Sequence, residues 1–166
     1  MLFKIGWLLG LTVLQASQAP TGVATDVTNA AMMDVIKEAA GRPTADIQMR
    51  VADVGNARVG VAVVRRTGAD QNALIHLKVT EVYVIKEGSG TLVTGGTLAD
   101  AKPPTDLAVV GPTVTGSSIR GGTSRKVVPG DVVIIPPNVP HSFSQLDGPI
   151  VYSVIRVDPE KILAVK

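Results

Sequence analysis

Polar and apolar residues alternate along much of the chain beyond Pro43. The first two runs have an apolar side chain at every second position: Ile47, Met49 and Val51, then Val59, Val61 and Val63. A period of two residues is typical of a β-strand with one buried face. The pattern therefore predicts that strands dominate the chain from about residue 44 onward.

One earlier segment, residues 26–40, has a helical period instead. Its apolar residues are spaced three and four positions apart: Met32, Val35, Ile36 and Ala39. Asp26 or Thr28 can cap its start, and Gly41 followed by Pro43 marks its end. We expect one amphipathic helix that covers the outer face of a sheet or contacts a second copy in a homodimer.

Two strand-rich segments contain the residues with candidate chemistry. In residues 72–88, strand-forming residues surround His76, Lys78 and Glu81 before a glycine turn. In residues 130–141, a β-branched run ends in a proline pair, and His141 is the last residue of the segment. The sequence has two histidines, and both lie in these segments.

The alternation of a strand also predicts which of these side chains point the same way. His76 and Lys78 are two residues apart, and so are Glu81 and Tyr83. We hypothesise that the two segments bring His76, Glu81 and His141 together as a metal site inside a small β-barrel. Two imidazoles and one carboxylate suit iron, manganese, zinc or copper, and three protein ligands leave positions open for water and substrate.

Both segments resemble the two motifs of the cupin family. The first motif has two histidines one residue apart, then a glutamate and a glycine, and this sequence has His76, Lys78, Glu81 and Gly88 in that frame. The second has glycine, proline, glycine, histidine and asparagine at fixed spacing, and here these positions are Gly130, Pro136, Asn138, His141 and Gln145. A long frame matched twice is far more specific than one short motif.

The resemblance implies an all-β fold, a single cupin-type double-stranded β-helix (jelly-roll) barrel preceded by one N-terminal helix. It also implies a divalent transition metal ion held by His76, Glu81 and His141. Lys78, which replaces the second histidine, and Tyr83 are then candidate catalytic groups. Lys78 would hold a substrate anion or act as a base. Alternatively, it replaces the metal and neutralises Glu81 in a buried ion pair.

The net charge and the N-terminal residues indicate which partners and which cellular compartment to expect. The net charge is +2, and basic residues do not cluster with aromatic ones, so we expect no nucleic acid partner. A short apolar run, Ile5 to Leu14, follows Lys4 and precedes small residues, which predicts a signal peptide over residues 1–24, cleaved near residue 19 or 24. We therefore expect a single mature domain, residues 25–166, that is secreted or periplasmic and has no stable membrane span.

Residues 97–126 are rich in proline, glycine and small side chains. Long connections in compact domains are often functional lids or mobile segments. Arg120, Arg125 and Lys126 could reach an anionic substrate from this segment, or they could be solvated surface residues.

Three functions fit these observations. The first is an exported metalloenzyme that acts on a small polar molecule, such as a sugar derivative, as an isomerase, lyase or dioxygenase. The second is a non-catalytic module that binds a small molecule or metal. The third is a metal-free barrel with a vestigial site.

Overall fold

The computed structural model of the protein describes residues 24–70 and 72–166. Residues 1–23, which contain most of the predicted signal segment, lie outside this range, so export stays a prediction. Within the described residues, no helix is long and apolar enough to cross a membrane.

The described residues form one helix followed by β-strands, which confirms the predicted fold class. The elements are α1 (Asn29–Glu38), β1 (Thr44–Asp53), β2 (Arg58–Arg66), β3 (Ala73–His76), β4 (Thr80–Glu87), β5 (Gly90–Thr94), β6 (Thr97–Ala99), β7 (Thr105–Leu107), β8 (Gly111–Gly116), β9 (Ser118–Arg120), β10 (Thr123–Val127), β11 (Val132–Ile135), β12 (His141–Leu146) and β13 (Ile150–Asp158).

The strands make two main antiparallel sheets. One has the order β1-β2-β13-β4-β11, and the other has the order β10-β5-β12-β3-β8-β7. A small third sheet pairs β6 with β9. Consecutive strands often lie in different sheets, so the chain crosses repeatedly between the two layers, as in a jelly roll.

The main core lies between the two sheets and is built from alternate residues of each strand. On β2, Ala62 and Val64 point into this core, whereas Val61 and Val63 point outward. The buried members of the core come from both sheets: Ala62, Val64, Tyr83, Ile85, Leu92, Val127, Val133, Ile135, Phe143, Ile150, Tyr152 and Val154.

Helix α1 covers part of the outer face of the five-stranded sheet. Met32 and Ile36 pack against Val63 and Val151, as the helical period predicted for a sheet-covering helix. Thr28 is the N-cap, because its hydroxyl accepts a hydrogen bond from the Ala31 amide at 3.1 Å.

A β-bulge in β1 changes the predicted orientation of one side chain. The pairing of β1 with β2 shifts between Gln48 and Arg50. Ile47 and Met49 pack towards α1, but Val51 joins a separate cluster with Val79 and Leu163. The strict alternation expected for these three apolar residues is therefore wrong after the bulge.

Candidate metal centre

The three predicted ligands come together at one end of the barrel. His76 ends β3, Glu81 lies on β4 and His141 begins β12. Each of the three offers one ligand atom, and these atoms lie within 4.8 Å of one another. All three residues are buried, with exposed fractions of 6%, 2% and 4%.

Strand pairing explains this convergence. β12 pairs with β3, where His141 lies opposite Leu74, and the backbone amide of Asn138 donates to the carbonyl of His76 at 2.9 Å. Asn138 has a positive φ of 66° at the position where the cupin motif has glycine. Asparagine adopts this left-handed backbone more readily than most residues, so the turn into His141 is kept.

Hydrogen bonds fix the tautomer of His76. The Thr113 hydroxyl donates to the carbonyl of Gly111 at 3.1 Å, so its oxygen accepts the Nδ1 proton of His76 at 3.0 Å. The Nε2 lone pair of His76 therefore faces the site, where it lies 3.5 Å from Glu81 Oε2. A second hydrogen bond that orients an imidazole in this way is typical of metal-binding histidines.

His141 is oriented by the backbone. Its Nδ1 donates to the carbonyl of Val139 at 3.1 Å, which leaves the lone pair on Nε2. That Nε2 is buried, lies 3.8 Å from Glu81 Oε2 and has no hydrogen-bond partner among the described residues. A buried polar atom without a partner is costly, and a metal ion would satisfy it.

The carboxylate of Glu81 is held from two sides. Arg156 Nε donates to Oε1 at 3.0 Å, and the Tyr83 hydroxyl donates to Oε2 at 3.0 Å. Oε2 also faces both imidazoles, so this oxygen is the one placed to bind a metal ion. The donor set of two imidazole lone pairs and one carboxylate oxygen fits a divalent transition metal ion.

Arg156 is the main feature that sequence reasoning missed. Its side chain is only 1% exposed, and its guanidinium also binds Gln48 Oε1 at 2.8 Å and the carboxylate of Asp46. Its position in β13 follows the inward parity of Tyr152 and Val154, and that parity was the one available signal. Thr113 was also missed, because it lies in the proline- and glycine-rich residues 97–126, where the sequence pattern predicted no strand.

Burial and nearby charges shift the pKa values of Glu81 and His76. Burial raises the pKa of Glu81, but His76 and Arg156 act in the other direction and leave it below its usual value. Burial lowers the pKa of His76 to about 4, although the charge of Glu81 opposes this shift. His76 is thus neutral near pH 7, as a metal ligand must be.

The lowered pKa of His76 predicts that the metal-free protein is acid-sensitive. Between pH 6.5 and about 4 the unfolded chain binds a proton at His76 that the folded chain does not bind. Stability present above pH 6.5 is therefore lost as the pH falls, by up to about 3 kcal/mol from this group. Urea unfolding from pH 7 to pH 4 measures the loss, and His76→Gln should reduce the slope; an equal slope in the variant would contradict the assignment.

The structure places Lys78 away from the site. β3 ends at His76, so strand alternation does not continue to residue 78, and the prediction that the two side chains face the same way is wrong. The ammonium group of Lys78 binds Glu160 at 2.9 Å, and 42% of its side chain is exposed. The cation that neutralises Glu81 is Arg156 and not Lys78.

Tyr83 lies where its parity with Glu81 predicted. Its hydroxyl donates to Glu81, and burial raises its pKa well above the usual value, so it remains a hydrogen-bond donor. Its ring packs on Tyr152 with centroids 4.6 Å apart. Tyr83 therefore orients the carboxylate, and any further catalytic role stays a prediction.

A cavity of about 350 Å³ is lined by two of the three candidate ligands, His76 and Glu81. Half of its lining residues are aliphatic and half carry polar or charged groups: Asp46, Val64, Arg66, Leu74, His76, Glu81, Tyr83, Leu107, Ala108, Val109, Val110, Tyr152, Val154 and Arg156. This volume is in the range of sites for small molecules.

The segment 97–126 reaches this cavity with apolar residues. It contains short strands, and the turn between β7 and β8 (residues 108–110) forms one wall. Arg120, Arg125 and Lys126 do not line the cavity, and Lys126 pairs with Asp147. The alternative that they are surface residues is therefore correct.

Comparison with known proteins supports the fold. The family model described as the AraC-like ligand binding domain matches residues 115–165. No curated protein matches the sequence significantly. This match and the two motifs agree with the predicted resemblance to the cupin superfamily.

Several solved structures are similar in fold at low sequence identity. A Bacillus halodurans protein has 13% identity and a TM-score of 0.49, with 89% of this chain and 92% of that chain covered. A Klebsiella pneumoniae protein with a double-stranded β-helix domain has 15% identity and a TM-score of 0.41, with 69% and 79% covered. An oxalate oxidase has 18% identity and a TM-score of 0.46, with 72% of this chain and 53% of that chain covered.

Proposed function

We propose that this chain, which has a cupin-type fold, binds one divalent transition metal ion through His76, Glu81 and His141 and acts on a small molecule in the adjoining cavity. The observation that supports this most strongly is the buried Nε2 of His141, which has no partner in the described part of the chain and faces the other two ligands. Iron, manganese, zinc and copper all accept this donor set.

Each residue around the site has a distinct task in this proposal. Thr113 and the Val139 carbonyl hold the two imidazoles in the tautomer that presents Nε2. Arg156 binds one oxygen of Glu81, so only the other oxygen is available to the metal. The metal would polarise a substrate oxygen or lower the pKa of a bound water.

The reaction class is proposed more broadly, as isomerisation, elimination or oxygen-dependent cleavage. The adjoining cavity supports a small substrate, because its volume of about 350 Å³ lies near the lower end of ligand sites. Fold alone gives no substrate, since one fold serves many reactions. We also propose that the protein acts after export, as the leading apolar segment suggests, and the intact mass of the mature chain would test this.

A second candidate is a non-catalytic module that binds a small molecule. The match of residues 115–165 to the AraC-like ligand binding domain favours it. Turnover of a substrate panel by the metal-loaded protein separates the two, because a binding module would bind ligands without converting them.

The metal content of the protein tests the proposal directly. Protein supplied with iron, manganese, zinc or copper and then desalted should retain close to one ion per chain, measured by elemental analysis. Retention of essentially none of the four would contradict the proposal and favour a vestigial site in which Arg156 alone neutralises Glu81.

A further inference from the structure

Arg66 forms a second polar position in the cavity, apart from the three metal ligands. It lies at the end of β2 on the same inward face as Ala62 and Val64, and only 15% of its side chain is exposed. Its Nε donates to the Tyr152 hydroxyl at 2.8 Å, and its Nη1 binds Asp70. In the described part of the chain, Nη2 of Arg66 donates to no protein acceptor.

Tyr152 provides a second donor beside it. Its oxygen accepts the hydrogen bond from Arg66, so its own proton is left for another acceptor, and the described residues supply none. The ring is 1% exposed and is fixed between Tyr83 and Phe143, with centroid distances of 4.6 and 5.7 Å. Burial raises the pKa of Tyr152 to about 12, which keeps the hydroxyl protonated at neutral pH.

The charge balance of the cavity changes sign when a metal ion binds. Asp46, Glu81 and Asp70 supply three negative charges. Arg66 and Arg156 supply two positive charges, so one negative charge is in excess without metal. A divalent ion leaves one positive charge in excess, and a monoanion would neutralise it.

The aliphatic walls restrict what else the ligand can be. Val64, Leu74, Val110 and Val154 are among the seven aliphatic residues that line the cavity beside the polar ones. A hydroxyl group placed against these aliphatic residues would lack a hydrogen-bond partner, which is costly. A short aliphatic body would instead be buried favourably.

We propose that the cavity binds a small organic monocarboxylate with a short aliphatic body, whose carboxylate accepts hydrogen bonds from Arg66 Nη2 and the Tyr152 hydroxyl. The other end of the ligand then faces the metal. This inference rests on the proposed function, because the excess positive charge requires a bound metal ion.

A pair of isosteric probes tests the charge requirement. Isobutyrate and isobutyramide have the same shape, but only the first is an anion at pH 7.5. Calorimetry on protein loaded with Zn²⁺ or Mn²⁺ should show isobutyrate binding at least roughly tenfold more tightly than isobutyramide, since hydrogen bonds to a charged group are the stronger ones. Equal binding of the two, or tighter binding of the amide, would overturn the inference.

Matched variants test the position of the carboxylate. Tyr152→Phe keeps the ring and removes the donor, and the double variant R66Q/D70N removes the cation together with its partner charge. Each should weaken isobutyrate binding roughly tenfold or more while one metal ion per chain is retained. Arg65→Gln is the control, because Arg65 points outward towards the Ala40 and Arg42 carbonyls and should leave binding unchanged.

The outcomes separate this inference from the proposed function. Metal-loaded variants that bind isobutyrate as tightly as the parent protein would show that the carboxylate lies elsewhere, for example on the metal, and would overturn the inference alone. Protein that retains no divalent ion would overturn the proposed function and this inference with it.

Discussion

Replacing Arg156 with methionine should lower the free energy of unfolding of the metal-free protein by about 3–5 kcal/mol, the usual cost of removing one member of a buried ion pair. Arg156 is 1% exposed and Glu81 is 2% exposed, so the variant leaves a carboxylate in the barrel interior without its cation. Methionine has similar length and keeps the packing near Gly60. Urea unfolding at pH 7 in the presence of a chelator measures the loss.

Two comparisons separate the charge effect from a general effect of the substitution. Arg65→Met and Lys78→Met alter partly exposed cations outside the barrel interior and should change stability by no more than about 0.5 kcal/mol. The double variant E81Q/R156M removes both charges of the pair and should recover part of the loss. A loss of less than about 1 kcal/mol in Arg156→Met would contradict the buried pair as described.

Replacing His141 with alanine should weaken metal binding by more than about 100-fold, because even changes to groups that only orient a ligand cost 10–100-fold. The alanine removes the Nε2 atom that has no other partner in the described residues. Competition with a chromophoric chelator measures the affinity. The variant also loses the Nδ1 hydrogen bond to the Val139 carbonyl and leaves space in the interior, so the stability of the metal-free variant should be measured beside its affinity.

A graded series tests the ligand assignment. Thr113→Val removes the acceptor of the His76 Nδ1 proton and should weaken metal binding less than His141→Ala, by about 10–100-fold. Lys78→Met should leave the affinity unchanged, because Lys78 binds Glu160 on the surface. Equal metal affinities of His141→Ala and Lys78→Met would contradict the ligand assignment, because the ion would then lie elsewhere.

The sequence predicted the three converging residues because both segments resemble cupin motifs, and the resemblance implies that the two segments meet. Fixed spacing along β3 and β4, and the turn before β12, are visible in one dimension, and so are the class of fold and the helix α1. Lys78 was misplaced because alternation holds only while a strand lasts, and β3 ends at His76. Whether a strand stops there depends on pairing with β8, which lies more than thirty residues away.

Arg156 was out of reach for a different reason. Its partners Asp46, Gln48 and Glu81 come from strands far apart in the chain, and they are brought together only by the order of the five-stranded sheet. An arginine in an otherwise apolar strand is usually a surface residue. The sequence also did not predict that residues 108–110 line the cavity, because the neighbours of a turn are determined only when the two sheets pack together.

Glu81 has two roles, as the partner of Arg156 and as a candidate metal ligand, and this affects which residues of the site evolution would retain. Glu81 is both a candidate ligand and half of a structural ion pair, so selection for folding alone would keep it in a lineage that had lost its chemistry. His141 differs, because its Nε2 has no structural partner in the described residues, so folding alone does not require an imidazole nitrogen at that point. Among descendant proteins, a retained His141 would therefore indicate retained metal chemistry, whereas a retained Glu81 would indicate only a retained fold.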